Sequence, residues 1–427
     1  MRIKLAAVAV LLMVPSLSFG AGFALFETGA RSWAMGGAFV AVADDPAAMF
    51  WNPAGLAFQT HEGSQFMLGV TFIQPEQDFE GMSPYPGDGY TASQIKQEFY
   101  VPHLYIVAPL GDRASFGFSI LAPFGLGTWW EDDFAGRFIS RRVDLEAIDF
   151  SPNLAFKLTN YLSLGIGVDY RISTIDLQRD VPLVDPFTQQ VAPVAGAHIY
   201  ADGSDNDGWG WHAGFLADLG KGFSFGASYR SEVTVQYDGE AEFTQYTTGN
   251  PYLDALVEAQ IPIGETVRGN TEITFPDMWA VGLAWSNEKW TLSGQWSTMG
   301  WSVYDELNLV FVGYPEFNET LVENYEDADH YHAGLEFRAT RHWRFQLGYE
   351  YDETPQPIES MTPLLGDADR EVYTLGIGWQ GKSFWLDLGA QLVTTDWRST
   401  EGTSIVGFDG RYKAESPLFA TSLGWKF

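Results

Sequence analysis

An alternation of apolar and polar residues with a period of two runs through almost the whole chain, and it limits folding more tightly than any other feature. In Leu164-Gly165-Ile166-Gly167-Val168-Asp169-Tyr170-Arg171-Ile172-Ser173 the even positions are apolar, and the odd ones are Gly, Gly, Asp, Arg and Ser. The pattern returns in Phe223 to Arg230. It returns again in Phe384 to Leu392, where Phe384, Leu386, Leu388, Ala390 and Leu392 share one face. Successive strand residues point to opposite sides, so each segment has one greasy face and one polar or small-residue face. Either a half-buried soluble sheet or a membrane barrel fits that pattern; segment length and spacing separate them.

About fourteen candidate strands can be read: near 65–75, 99–110, 114–124, 143–157, 161–177, 207–219, 222–237, 267–286, 289–303, 329–339, 342–352, 371–380, 383–395 and 413–427. Many exceed an ordinary soluble strand and match the length of a tilted membrane-crossing one. Their connections alternate. Tight turns hold Gly111-Asp112, Thr159-Asn160, Gly220-Lys221, Asn287-Glu288, Thr340-Arg341 and Gly381-Lys382. Long loops cover 76–98, 125–142, 178–206, 238–266, 304–328, 353–370 and 396–412. Short turns on one rim and long loops on the other are the outer-membrane pattern, so the chain is predicted to be an all-β, antiparallel transmembrane β-barrel.

The N-terminus agrees on compartment. Arg2 and Lys4 precede the apolar run Leu5 to Val14, Pro15-Ser16 breaks it, and Ser18-Phe19-Gly20 offers small residues to a signal peptidase. Residues 1–20 read as a secretory leader. No later stretch reaches the roughly 18 apolar residues that a membrane helix needs. The absence of cysteine suits an exported chain held by strand pairing. A formal charge of −31, or −33 once Arg2 and Lys4 are removed, makes nucleic acid a poor partner. Acidic outer loops suit cation-bridged lipopolysaccharide, or simply solubility. The chain closes on Phe419-Ala420-Thr421-Ser422-Leu423-Gly424-Trp425-Lys426-Phe427, an alternating strand with a terminal aromatic.

A barrel of about fourteen strands leaves a lumen too wide for side chains alone to fill. Residues 21–62, with Gly22, Gly29, Gly36, Gly37, Gly55 and the Ala-rich stretch Ala38 to Ala48, are compact enough to plug it. The expected division is a leader at 1–20, a plug at 21–62 and a barrel at 63–427.

At Asn52-Pro53-Ala54 the chain resembles the FadL family of long-chain fatty-acid and hydrocarbon transporters. Ala21-Gly22-Phe23, Ala43-Asp44-Asp45, Tyr229-Arg230-Ser231-Glu232-Val233, Phe275-Pro276-Asp277-Met278-Trp279, Tyr351-Asp352-Glu353-Thr354-Pro355 and Phe427 are also similar, and together they span the mature chain. The resemblance implies a fourteen-stranded barrel with an N-terminal hatch. It also implies capture of a hydrophobic ligand among outer loops, passage to a pocket beside the hatch, and a lateral gap at a kinked third strand. Pro123, Phe124 and Gly125 are the expected kink, since Pro123 cannot donate to a ladder.

Parity along the fifth strand turns Asp169, Arg171 and Ser173 to the lumen, followed by Ile175, Leu177 and Arg179. An apolar wall ending in a guanidinium suits a fatty acid, with about 0.8 kcal/mol per buried methylene and a bidentate carboxylate. Arg179 matches the family position that contacts the carboxylate; pairing with Asp176, Asp180 or another loop acid is its alternative. Asn52, Pro53 and Ala54 complete the expected ligand contacts. The family's fatty-acid members carry a second cation, a Lys, before the tenth strand. Leu321 stands there instead, with no Lys or Arg between Trp290 and Phe337, which keeps uncharged hydrocarbons open as ligands. Leu253, Leu256 and Val257 lie on one face of a predicted short helix and would form the capture surface.

His330 and His332, near Asp327 and Asp329 at strand spacing on one face, read first as a polar wall, with a metal site as the alternative, and no cofactor is expected. No nucleophile–base arrangement with convincing spacing is found, so an enzyme is not expected. A barrel enzyme and a general diffusion pore stand as the other readings. A monomer in contact with lipid and lipopolysaccharide is expected.

Overall fold

Hydrogen-bonding arithmetic dictates the architecture, because a sheet in lipid must leave no free edge. In the computed structural model, which describes residues 22–184, 191–201 and 206–427, the sheet closes on itself. The expected leader lies outside the described residues. Fourteen strands form the wall: β1 Gln65–Ile73, β2 Phe99–Pro109, β3 Ala114–Trp129, β4 Arg142–Thr159, β5 Leu162–Val184, β6 Asp207–Gly220 and β7 Phe223–Arg230, then β8 Met278–Ser286, β9 Trp290–Met299, β10 Ala328–Arg338, β11 Trp343–Asp352, β12 Arg370–Gln380, β13 Phe384–Thr395 and β14 Gly410–Lys426. Each pairs antiparallel with the next, and closure comes where Gln65 of β1 faces Lys426 of β14 on one side and Val107 of β2 on the other.

The alternation appears inside out. Exposed positions carry Leu154, Phe156, Leu164, Ile166, Trp279, Leu283, Phe345, Leu347 and Leu375, whereas buried ones carry Ser151, Asn153, Asp169, Arg171, Gln295, Glu336 and Gln346. A water-soluble sandwich would reverse that arrangement. No described helix is long and apolar enough to cross a membrane.

The expected strands at 222–237 and 267–286 each break once. Ser231-Glu232 and Pro276-Asp277 interrupt the ladder, ending β7 at Arg230 and starting β8 at Met278. Register nevertheless runs on, with Arg230 facing Met278 and Val233 facing Phe275. The hairpin therefore continues beyond the wall as Val233–Gln245 and Thr266–Phe275. Pro276, without an N–H, accounts for the interruption on one side.

Residues 22–62 carry two short helices, α1 Ala30–Ala34 and α2 Ala48–Trp51, followed by the 3-10 stretch Pro53–Glu62. They lie against inward-facing side chains all around the wall. Ser422 Oγ of β14 accepts from Ala30 N at 2.9 Å, and Thr374 Oγ1 of β12 donates to Ala34 O at 2.9 Å. Gln295 Oε1 of β9 accepts from Val40 N at 2.9 Å, and Ser163 Oγ of β5 donates to Ala54 O at 2.8 Å. Buried Arg31 binds Glu336 of β10 through Nε at 2.7 Å and Nη2 at 3.2 Å.

Candidate ligand passage

The third wall strand breaks the regularity of its neighbours. β3 pairs with β2 only from His103↔Leu121 to Pro109↔Ser115, so Phe99 to Pro102 of β2 have no partner on that side. Its register with β4 shifts between Leu121 and Phe124. One residue more stands on β3 than on β4, a bulge centred on Ala122-Pro123. Burial parity switches across it, from Ser119 and Leu121 to Phe124 and Leu126. The N-terminal segment takes the vacated ladder positions: Leu25 N donates to Pro123 O at 2.8 Å and Gly125 N donates to Phe23 O at 3.0 Å. Between β2 and β4 this leaves a cavity of about 120 Å³, lined mostly by apolar groups including Leu25, Phe99, Ala122, Phe124, Leu126 and Leu145.

A second, much tighter cavity, about 20 Å³, lies on the lumen side and shares Leu126 and Leu145 with the first. Ile175 and Leu177 of β5 line it, with Phe23 of the N-terminal segment and Tyr304 and Tyr325 of the loop before β10. Phe23 meets the Trp301 ring edge-on at 4.7 Å between centroids. Arg171 stands close by, its guanidinium 4.6 Å from the Phe124 and the Phe275 ring centres. That charge is already satisfied: Asp149 receives Nε at 2.7 Å and Nη2 at 2.8 Å. Glu323 is buried beside Tyr304 and Tyr325, and burial pushes its carboxyl up to about 8, which keeps it neutral near pH 7.

Residues 11–427 match the family described as outer membrane protein transport protein (OMPP1/FadL/TodX). The chain belongs to this family. Among curated relatives it is similar to the long-chain fatty acid transport protein of Escherichia coli O6:H1, 26% identical over 97% of this chain and 96% of that protein. Outer membrane protein P1 of Haemophilus influenzae is 24% identical over 79% of this chain and 77% of its own length. The crystal structure of a Pseudomonas aeruginosa FadL homologue shares the fold, with a TM-score of 0.82 at 20% identity, covering 95% of this chain and all 100% of that one. The Pseudomonas putida toluene transporter TodX gives 0.72 at 19% identity, over 94% and 99%. As a member of this outer-membrane transport family, the chain is an outer-membrane protein and not an enzyme.

Not all the residues expected to meet the ligand come together in this member of the FadL family. Ile175 and Leu177 line the inner cavity. Arg179 lies beyond them on the same strand, and its Nη1 pairs with Glu319 Oε2, so the loop-acid alternative is the one realised. Glu319 opens the short strand Glu319–Val322 that also holds Leu321.

Asn52, Pro53 and Ala54 lie elsewhere, near the tight-turn end of β5 and β6. Asn52 Nδ2 donates to Val40 O at 2.8 Å and Phe215 O at 2.9 Å. A Cβ on Gly165 would come within 2.4 Å of Ala54 N, and one on Gly214 within 2.1 Å of Asn52 Oδ1. Gly165 is ten positions down the strand from Ile175, so this corner seats the segment against the wall far from the cavity.

In α3, Pro251–Gln260, Val257 is buried while Leu253 and Leu256 are half-buried; the face expected to be open is partly used for packing. His330 and His332 share a face, but their neighbours are not Asp327 and Asp329. His330 meets Asp352 of β11. His332 contacts Ser297 Oγ and Gly36 O, each at 2.9 Å. Val143 and Leu145 of the inner cavity carry the β4 alternation and were legible by parity. Tyr304, Leu307, Tyr325, Leu364 and Leu365 come from long loops and left no periodic signal.

Proposed function

We propose that this protein passes hydrophobic small molecules across the outer membrane without energy coupling. In this reading residues 22–62 act as the hatch, the inner cavity widens around the ligand as the hatch shifts, and the bulge at Pro123, Phe124 and Gly125 is its lateral exit. The observation that carries it is the pair of apolar cavities that share Leu126 and Leu145 in their walls, one against the N-terminal segment and the other beside the wall gap. The outer face meets lipid and lipopolysaccharide, and the closed wall works as a monomer. Leu253, Leu256 and Val257 are the proposed first contact for the ligand.

Long-chain fatty acids are the favoured ligands, by analogy with a relative named for that transport along nearly its whole length. A second reading, uncharged hydrocarbons, is favoured by the Arg179–Glu319 pair and by a cavity lining without a cation. Binding of a long-chain fatty acid and a matched alkane to detergent-purified protein, wild type and Arg179→Ala, separates the two. Preference for the acid, lost by at least about tenfold in the variant, supports a carboxylate site. Equal binding of both ligands, unchanged by the substitution, supports hydrocarbons. Binding of neither sinks the transport reading.

A further inference from the structure

Away from the cavities, where β10 and β11 meet the N-terminal segment, lies a group of buried side chains that the passage of a hydrophobic ligand does not use. His330, Glu350 and Asp352 each offer a donor atom, all within 4.8 Å of one another. His330 and Asp352 are fully buried and Glu350 is 6% exposed. Register places them together: His330 faces Asp352 directly across the β10–β11 ladder, and Glu350 follows two positions along on the same face.

Two features separate this group from an ordinary buried ion pair. The first is that, among the described residues, His330 Nε2 has no hydrogen-bond partner, while its Nδ1 lies against Asp352 Oδ1. A fully buried imidazole nitrogen left without a partner is costly unless something else meets it. The second is charge. Arg370 Nη1 binds Asp352 Oδ2 at 3.2 Å, leaving Oδ1 towards His330. Among the described residues Glu350 has no guanidinium within ion-pair reach and finds only His332 Nδ1 at 3.6 Å. Glu27 of the N-terminal segment is buried too, close enough for its charge to act on Glu350, and its Oε2 has no partner. Three carboxyl groups thus share a water-poor space with one guanidinium.

We propose that His330, Glu350 and Asp352 bind a divalent first-row transition-metal ion, with Glu27 supplying a further oxygen from the N-terminal segment. One imidazole with two or three carboxylates is a donor set that Zn²⁺, Mn²⁺ or Fe²⁺ accepts. Arg370 then orients Asp352 from outside the ligand shell. The Phe26 ring covers His330 edge-on at 5.6 Å between centroids and closes the site from the lumen. Since Glu27 and Phe26 belong to the segment while the other donors belong to the wall, the ion fastens one to the other.

The test uses the full mature chain in detergent, stripped with a chelator and titrated with Zn²⁺. Metal content is read by mass spectrometry, alongside titrations of Glu350→Gln and His330→Asn. One ion per chain, bound at least about tenfold more weakly in both variants, is the expected result. Heat-dependent gel mobility confirms that each variant is folded. Should either fail to fold, Co²⁺ added to the wild type still decides: visible bands of a nitrogen–oxygen site support the proposal. A wild type that binds no stoichiometric metal, or folded variants that bind as it does, overturns it; the group is then a buried His330–Asp352–Arg370 ion network.

Discussion

Among single residues, Glu323 has the most direct consequence. Its carboxyl is buried in the loop before β10, and burial raises it from 4.5 to about 8. Between those values the folded protein keeps the proton while the unfolded loop releases it. The stability at stake is therefore greatest near and below pH 4.5, and is lost as pH rises through 8. Roughly 3 to 5 kcal/mol of local stability depends on this one proton. Tyr304 and Tyr325, which line the inner cavity, pack beside it. Proteolytic cleavage within 304–327 should quicken markedly from about pH 6 to about pH 9 in the wild type and stay level in Glu323→Gln. The same acceleration in both would place the titrating group elsewhere. Glu323 could not be picked out in the sequence, because nothing in a loop of that length fixes which acid turns inward. Arg179 shows the complementary case. Parity put it on the lumen side, yet its partner Glu319 comes from an aperiodic loop and became visible only in three dimensions.

Individual elements divide in the same way. Strand count, strand order and the two kinds of connection were legible because each wall strand repeats a two-residue signal and each tight turn carries its own chemistry. The Pro123 kink was legible as a break. That it is a one-residue bulge, with the inward face changing from odd to even positions, was hidden, because Ile120-Leu121-Ala122-Pro123-Phe124 is apolar at every position. The bulge makes a sharp prediction, since a one-residue change in register exchanges the two faces of a strand. Deleting Pro123 restores the β3–β4 register while keeping both Leu121 and Phe124 inward. β3 can then pair onward with Phe99 to Pro102 and close the gap. The deletion variant should bind ligand in detergent at near wild-type affinity but lose most uptake in cells. Undiminished uptake by a folded deletion variant would remove the gap from the route.

For the molecule as a whole, the question is whether the lumen is a passage or a stopper. Outside the β3 bulge, where Phe23 and Leu25 take ladder positions, the wall needs little help from residues 22–62 to satisfy its backbone, since every wall strand has a partner on both sides around the ring. Elsewhere the segment satisfies side chains: Arg31 with Glu336, Val40 with Gln295, Ala34 with Thr374. A fourteen-strand ring without that filling is wide enough for water and ions, because even eight strands leave room only for side chains. The intact chain in a planar bilayer should therefore give no steady ion current. A chain lacking 22–62 should still insert and resist detergent unfolding, but conduct ions continuously, with Glu336 and Gln295 newly open to solvent. Steady conductance by the intact chain would favour the diffusion-pore reading. A silent deletion variant that is demonstrably folded would mean that the long loops, rather than the N-terminal segment, seal the barrel. The cavities beneath those loops would then need a different way out.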